Sequence, residues 1–491
     1  APADIPAVIR ADKDELPGTP SLPRNVSATD AEAAYNALQS EMQDVRSLPF
    51  IVKAEDPCLF PVAEHNSELF APNQFTGPWL IAVWLQGPKG SVYSSTYRAH
   101  LKCNAAWPSS VASLRFCSHV PHPVIETDGL VDDDALEIVE EEVRHKMGRQ
   151  KRSVASTLTA AFELLKDPAA HLSSDALPII ERAKEESGRR LDVINTYRSA
   201  RRHPSLFDSS QGWPEEWFAP GLKAAIRQGA AGIQALVREE AKEVYSFPLF
   251  TPKFCEMYIE EMYSFYASGL PVSRPNSMNN YGVIVNEIGL ESMNDLLQAE
   301  VLQPIAEALF GQVGAYLGHQ HTFIVRYKVG EDLGLDMHTD DSDVTFNVCL
   351  GKDFEGAGLQ FCGNQAEVGH RKASAVYRHA IGRCVVHLGH RRHGADDITA
   401  GERLNLIMWN HNHEYRNSRL YAQHNMQSPS TYEKELEPPD PVCVSFTHDR
   451  DYGVFKAYSQ KSQKHQGKGW CPPRHAEYPG FVQEADDITA G

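Results

Sequence analysis

Five short runs decide the fold: HTFIVRYKV (residues 321–329), SDVTFNVCLG (342–351), GLQFCG (358–363), RCVVHLG (383–389) and RLNLIMWN (403–410). Each is rich in β-branched and aromatic residues, and Gly or Asp turns separate them, the pattern of an all-β sandwich or jelly roll. Between the first two runs stands His338-Thr339-Asp340. A histidine and a carboxylate two apart on extended backbone point to the same face. With a histidine from a distant strand, here His393, they would put two nitrogens and one carboxylate on one side of a metal. That arrangement leaves three positions open and suits non-haem Fe(II).

An H-x-D pair by itself means little in a chain with 21 His. The sequel gives it weight: His393-Gly394 is followed, ten residues after the histidine, by Arg403 at the start of a strand. A guanidinium there can clamp a carboxylate bidentately. Tyr327, eleven residues before His338, offers a hydroxyl from the preceding strand. His387, His390, His411 and His413 compete for the role of third ligand, but only His393 has both the following Gly and the Arg at ten. Asn279 and Asn280 lie in a polar stretch, and turn chemistry alone accounts for them.

Outward from this unit, Thr251-Pro252 opens a helix over KFCEMYIEEMYSFYAS, and another spans about 291–310. Toward the N-terminus the pattern changes. A helix over 31–44 precedes WLIAVWLQG, TYRAHLKCNA and SLRFCSHV, which look like a strand meander. Helical spacing returns in VASTLTAAFELLKDP, stopped by Pro168, and in a charged stretch from about 178 to 200. The expected organisation is an arm (1–27), an α+β domain (28–205), a linker or helix (206–240), a β-rich domain (241–425) and a C-terminal extension (426–491). The heptapeptide ADDITAG occurs at both 395–401 and 485–491 without a physical reason.

The blocks FTPKFC (250–255), RPNSMNNYG (274–282), FIVRYKVGEDLGLDMHTD (323–340), TFNVCLGKDFEGAGLQF (345–361) and HLGHRRHGADDITAGERLNLIMW (387–409) together resemble the Fe(II)/2-oxoglutarate dioxygenases of the prolyl-4-hydroxylase-like class. The resemblance implies a double-stranded β-helix, or jelly roll, with flanking helices. It implies His338, Asp340 and His393 as iron ligands, Arg403 on the distal carboxylate of 2-oxoglutarate, and Tyr327 as a second donor to that carboxylate. Fe(II), 2-oxoglutarate and O2 would be the cofactors and co-substrates, with ascorbate the expected reductant. The implied reaction couples decarboxylation of 2-oxoglutarate to succinate with hydroxylation of a substrate.

The N-terminal domain has a resemblance of its own. Gly87-Pro88-Lys89-Gly90-Ser91-Val92-Tyr93, Trp107-Pro108 and Val120-Pro121-His122-Pro123 resemble motifs of the ubiquitin-conjugating-enzyme (UBC) fold. That family places its nucleophilic Cys three residues after the glycine that corresponds to Gly129, and an Asn after the His-Pro. Here those positions are Asp132 and Val124. A carboxylate cannot form the thioester, and the oxyanion donor is missing. The resemblance therefore implies a conjugation-dead UBC-like domain that binds a protein partner or substrate. Cys103 and Cys117 each fall in an expected strand and are poor substitutes.

Composition bounds the remaining possibilities. The chain has 491 residues, 47 Lys+Arg against 65 Asp+Glu, and a net charge of −18. That balance argues against sequence-independent nucleic-acid binding, which needs a cationic face. No apolar run reaches the length of a membrane span. Nine cysteines, an odd number with no C-x-x-C pair, disfavour a disulfide framework and suit an intracellular, reducing compartment, cytoplasm or nucleus. The chain begins at Ala1, so a targeting peptide already removed is compatible with it. Three activities are in competition: hydroxylation of a protein side chain of prolyl or lysyl type, oxygenation of a small metabolite, and a non-catalytic scaffold. The intact His/Asp/His/Arg set weighs against the last.

Overall fold

In the first unit, alternation along the strands builds the core. Strands β1 (Ile51–Ala54), β2 (Cys58–Leu59), β3 (Trp79–Gln86), β4 (Thr96–Cys103) and β5 (Ser113–Phe116) form an antiparallel sheet with the path β1-β3-β4-β5 and β2 beside β3. Trp79, Ile81, Val83 and Leu85 of β3, and Tyr97, Ala99, Leu101 and Cys103 of β4, all enter one hydrophobic cluster. Each set takes every second residue, as a pleated strand with one face on a core requires. Helix α1 (Ala28–Ser47) adds Leu38, Met42 and Val45 to the same cluster, and α2 (Asp133–Lys146) adds Leu136, Val139 and Val143, both at helical spacing. Helix α3 (Val154–Lys166) starts in a Ser153/Ser156 capping box. Helix α4 is Leu177–Tyr197. The computed structural model describes residues 28–59, 79–103, 107–108, 112–171, 176–276, 278–365, 374–418 and 421. The expected arm (1–27), the extension (426–491) and the second ADDITAG lie outside them.

The domain limits differ from the sequence expectation. The chain forms two compact units. The first runs to Gly212 and also takes Asn286–Gln303 and Ala315–His321 from the middle of the chain. The single helix expected over 291–310 is α6 (Glu291–Leu297), a π-helical segment (Gln298–Leu302) and α7 (Gln303–Phe310). At the join, Gln298 is fully buried: its side chain accepts from Arg98 Nη1 at 3.1 Å and donates to His319 O at 3.0 Å. A widened turn re-aims such a side chain at the cost of regular helix.

The second unit comprises Trp213–Val285, Pro304–Gly314 and the chain from Thr322 onward. Its strands are β6 (Arg238–Ala241), β7 (Val244–Pro248), β8 (Gly282–Ile284), β9 (His319–Lys328), β10 (Leu335–His338), β11 (Val344–Gly351), β12 (Phe354–Gly356), β13 (Leu359–Asn364), β14 (Ala375–Tyr377), β15 (Arg383–Leu388), β16 (Arg391–Ala395) and β17 (Ile398–His411). They make two antiparallel sheets, β6-β7-β15-β11-β17-β9-β8 with β12 beside β17, and β10-β16-β13-β14. One core cluster draws on both sheets, with Phe323, Val325, Val385 and Ile407 from the larger and Leu359, Phe361, Tyr377 and Ala395 from the smaller. This is the two-sheet architecture of a jelly roll. Helix α5 (Pro252–Ala267), capped by Thr251 on Phe254 N, packs on β11, which is why that strand is buried along its whole length. No helix among the described residues is long and apolar enough to cross a membrane. Six described cysteines are free thiols, and Cys362 in β13 is disulfide-bonded.

Candidate active site

The two sheets close around a pocket with an empty volume of about 440 Å3. Strand alternation chooses what lines it. Arg403, Asn405, Ile407 and Trp409 come from β17, Phe323, Val325 and Tyr327 from β9, and Thr345 and Asn347 from β11, each set at a spacing of two. The smaller sheet contributes Leu335, His338, Leu359, His393 and Ala395, and the 276–279 loop contributes Asn276 and Asn279.

His338 is the last residue of β10 and pairs across the ladder with His393 of β16. Asp340 lies two residues past the strand end, where its backbone N–H donates to Gly389 O at 2.9 Å. Asp340 Oδ1 is 3.3 Å from His338 Nε2 and 3.5 Å from His393 Nε2. One ligand atom from each of these residues lies within 4.8 Å of the others, the one such group of three among the described residues. His393 Nδ1 is 2.9 Å from Arg391 O. A carbonyl only accepts, so Nδ1 carries the hydrogen and Nε2 keeps its lone pair for a metal. Burial pushes His393 down to about 3 despite the opposing Asp340. Burial works to raise the Asp340 carboxyl, but His393 and His338 beside it outweigh burial and hold it well below the usual range. Two imidazoles and one ionised carboxylate fit a divalent ion such as Fe(II).

Arg403 sits on the facing sheet and is 1% exposed. Its Nη1 donates to Ala357 O, and its guanidinium lies over the Tyr327 ring at 4.7 Å. Nε has no hydrogen-bond partner, and among the described residues the carboxylate that acts on Arg403, Asp396, does so without an ion-pair contact. Burial lowers its pKa, yet an arginine stays charged. A buried cation with only the Asp396 carboxylate acting on it from beyond ion-pair distance is unfavourable, and a ligand carboxylate would relieve it. Burial also raises the Tyr327 phenol, with Arg403 opposing, so the hydroxyl remains a donor. The residues present therefore fit both an iron ion and the distal carboxylate of a 2-oxo diacid.

The competing histidines are engaged otherwise. His387 is fully buried with its ring 4.4 Å from that of His393, but Nδ1 bonds Leu388 O at 2.9 Å. His411 Nε2 bonds Asp341 O at 2.9 Å. His387, His390, His411 and His413 all lie outside the ligand group. Sequence reasoning missed Thr345, whose hydroxyl donates to Asp340 Oδ2 at 2.6 Å. It also set Asn279 aside, although this residue is fully buried, lines the pocket and donates to Tyr327 Oη at 3.3 Å. The paired polar residues Asn347 and Asn405, on the pocket face of neighbouring strands, were a readable signal that went unused.

In the first unit the motif residues do structural jobs. Asp132 is the N-cap of α2, its carboxylate accepting from Ala135 N at 2.8 Å. His122 is 3.1 Å from Leu164 O through Nε2, accepts from Val124 N through Nδ1 at 3.3 Å, and is pushed down to about 4 by burial. Cys103 and Cys117 are fully buried, and burial raises both thiols, Cys117 to about 12. Neither is a thiolate nucleophile.

A family model described as the OGFOD2-like domain matches residues 193–315. Over 268 residues the chain is 32% identical to the mouse (Mus musculus) 2-oxoglutarate and iron-dependent oxygenase domain-containing protein 2, covering 50% of this chain and 75% of that one. It is 36% identical over 221 residues to the Arabidopsis thaliana 2-oxoglutarate and iron-dependent oxygenase domain-containing protein ICU11, covering 43% and 56%. Human (Homo sapiens) procollagen-lysine,2-oxoglutarate 5-dioxygenase 1 is 29% identical over 178 residues, covering 34% and 24%. The chain thus spans little more than half of the Arabidopsis relative's length.

Proposed function

We propose, from the premise that this chain belongs to the family of 2-oxoglutarate and iron-dependent oxygenase domain-containing protein 2, that it hydroxylates a lysyl or prolyl side chain of a protein. The observation that carries the oxygenase chemistry is the pairing, across one pocket, of the His338/Asp340/His393 group with the buried Arg403, whose Nε has no hydrogen-bond partner. Iron(II) bound there would supply O2 activation coupled to decarboxylation of 2-oxoglutarate to succinate, with ascorbate the expected reductant. The chain's own residues do the rest. Arg403 and Tyr327 bind the distal carboxylate, Thr345 holds Asp340 in place, and Phe323, Val325, Ile407 and Trp409 keep water from the pocket.

A protein substrate is supported by the relative named for procollagen lysine. It is supported too by reading the first unit as a conjugation-dead UBC-like domain that recruits the partner, with its helix, meander and helix order and Asp132 used as a cap. The test incubates the full chain with Fe(II), 2-oxoglutarate, ascorbate and a library of lysine- and proline-containing peptides. The expected product is a peptide heavier by one oxygen. Succinate formed at a rate no peptide raises, but a small metabolite does, would replace the protein substrate with a metabolite.

A further inference from the structure

The polar stretch Asn276 to Tyr281, explicable from sequence as a turn alone, is locked at both ends. Asp332 accepts from Asn280 N at 2.7 Å, Asn280 Nδ2 at 2.9 Å and Tyr281 N at 3.1 Å. Arg274 Nε donates to Asn279 O at 3.1 Å. Within the stretch, the amide orientations follow from chemistry. Asn276 Oδ1 faces the backbone N–H groups of Met278 at 2.9 Å and Asn279 at 2.8 Å. Backbone N–H groups only donate, so the atom facing them is the oxygen and the other is Nδ2. Asn276 Nδ2 in turn donates to Asn279 Oδ1 at 3.0 Å. The atom that Asn279 presents to Tyr327 Oη, at 3.3 Å, is therefore Nδ2.

An amide nitrogen only donates, so Tyr327 Oη accepts and its own hydrogen must point elsewhere. No described residue accepts it. Its neighbour Arg403 carries donors only and has an unpartnered Nε. We propose that Asn279 is a positioning residue for 2-oxoglutarate: it turns the Tyr327 hydroxyl into a committed donor, so that Tyr327 and Arg403 converge on one carboxylate. This rests on the 2-oxoglutarate reading above. It gives the stretch a task in the pocket of the His338/Asp340/His393 group, with Asn276 as the residue that sets the orientation.

The test measures 2-oxoglutarate binding to the full chain loaded with Mn(II), by titration calorimetry, so no turnover is needed. Asn279→Ala and Tyr327→Phe should each weaken binding about tenfold, the effect of one hydrogen bond, with Mn(II) affinity unchanged. The double variant should bind no more weakly than the worse single, because both changes remove one interaction. Losses that multiply to about a hundredfold, or an unchanged Asn279→Ala, would overturn the proposal. Where Asn279→Ala fails to fold, Asn276→Ser runs the same cycle. Its hydroxyl still accepts from the backbone but no longer fixes Asn279, and it should weaken binding only when Tyr327 is present. A wild type that binds Mn(II) but not 2-oxoglutarate sinks the functional reading and this proposal together. Normal wild-type binding with no loss in either variant sinks the proposal alone.

Discussion

Thr345 Oγ1 donates to Asp340 Oδ2 at 2.6 Å, which leaves Oδ1 as the carboxylate oxygen facing both His338 and His393. The hydroxyl comes from β11 and Asp340 from beyond the end of β10, so the bond also ties Asp340 to the larger sheet. Partners of this kind fix the rotamer of a ligating carboxylate, and their loss typically lowers metal affinity ten- to a hundredfold. Thr345→Val should therefore weaken Mn(II) binding by about tenfold in calorimetry, with little change in thermal melting. Unaltered affinity would mean Asp340 is held without Thr345.

Arg403 makes the second prediction. A bidentate, charge-assisted contact to a buried carboxylate contributes about 3 kcal/mol or more, so Arg403→Gln should weaken 2-oxoglutarate binding by at least about a hundredfold. The ligand-free variant should melt little lower than wild type, since a buried charge without an ion-pair contact has been removed. A large fall in melting temperature would show that Arg403 serves the fold through Ala357 O and the Tyr327 ring instead.

The third concerns Asp132, which the proposed UBC-like reading of the first unit puts in the place of a nucleophile. Asp132 caps α2, and its replacement by Ala should cost about 1 kcal/mol, read as a lower denaturation midpoint. The wild-type chain should form no thioester when mixed with charged ubiquitin-activating enzyme, and a thioester on it would contradict the conjugation-dead reading.

The fourth is a pH dependence in the first unit. Asp295 is fully buried, and burial raises its carboxyl above the usual range, against the opposing pull of Arg98 and the hydrogen bond from Gln320 at 3.1 Å. Glu291, one helical turn earlier, is raised by burial and then by Asp295. A carboxyl whose folded pKa is raised adds full stability below the ordinary carboxylate range of about 4 and loses it as pH rises through the folded value. Asp295→Asn removes that loss. Its melting temperature relative to wild type should rise between pH 5 and pH 8, and a difference independent of pH would refute the assignment.

Much of the second unit was legible because strand alternation is local. Arg403, Asn405, Ile407 and Trp409 advertise one face of β17 in the sequence itself, and Tyr327 shares its register with Phe323 and Val325. The role of Asn279 was not legible, because its partner Tyr327 lies 48 residues away and a turn explains the same letters. Nor was the transfer of α6 to the first unit. The sequence near 291–298 carries Asp295 and Gln298, which look like surface residues until Arg98, some 200 residues earlier, appears beside them. Long-range pairing of polar groups leaves no periodic trace.

The central claim is that His338, Asp340, His393 and Arg403 act as one iron- and 2-oxoglutarate-dependent centre. The most direct measurement is succinate release from 2-oxoglutarate by the purified chain with Fe(II) and ascorbate, alongside His338→Ala and Arg403→Gln. Slow succinate formation by the wild type, abolished in both variants and by chelation of the metal, is the predicted result. Succinate formed equally by His338→Ala, or no succinate together with no binding of either metal or 2-oxoglutarate by the wild type, would contradict it.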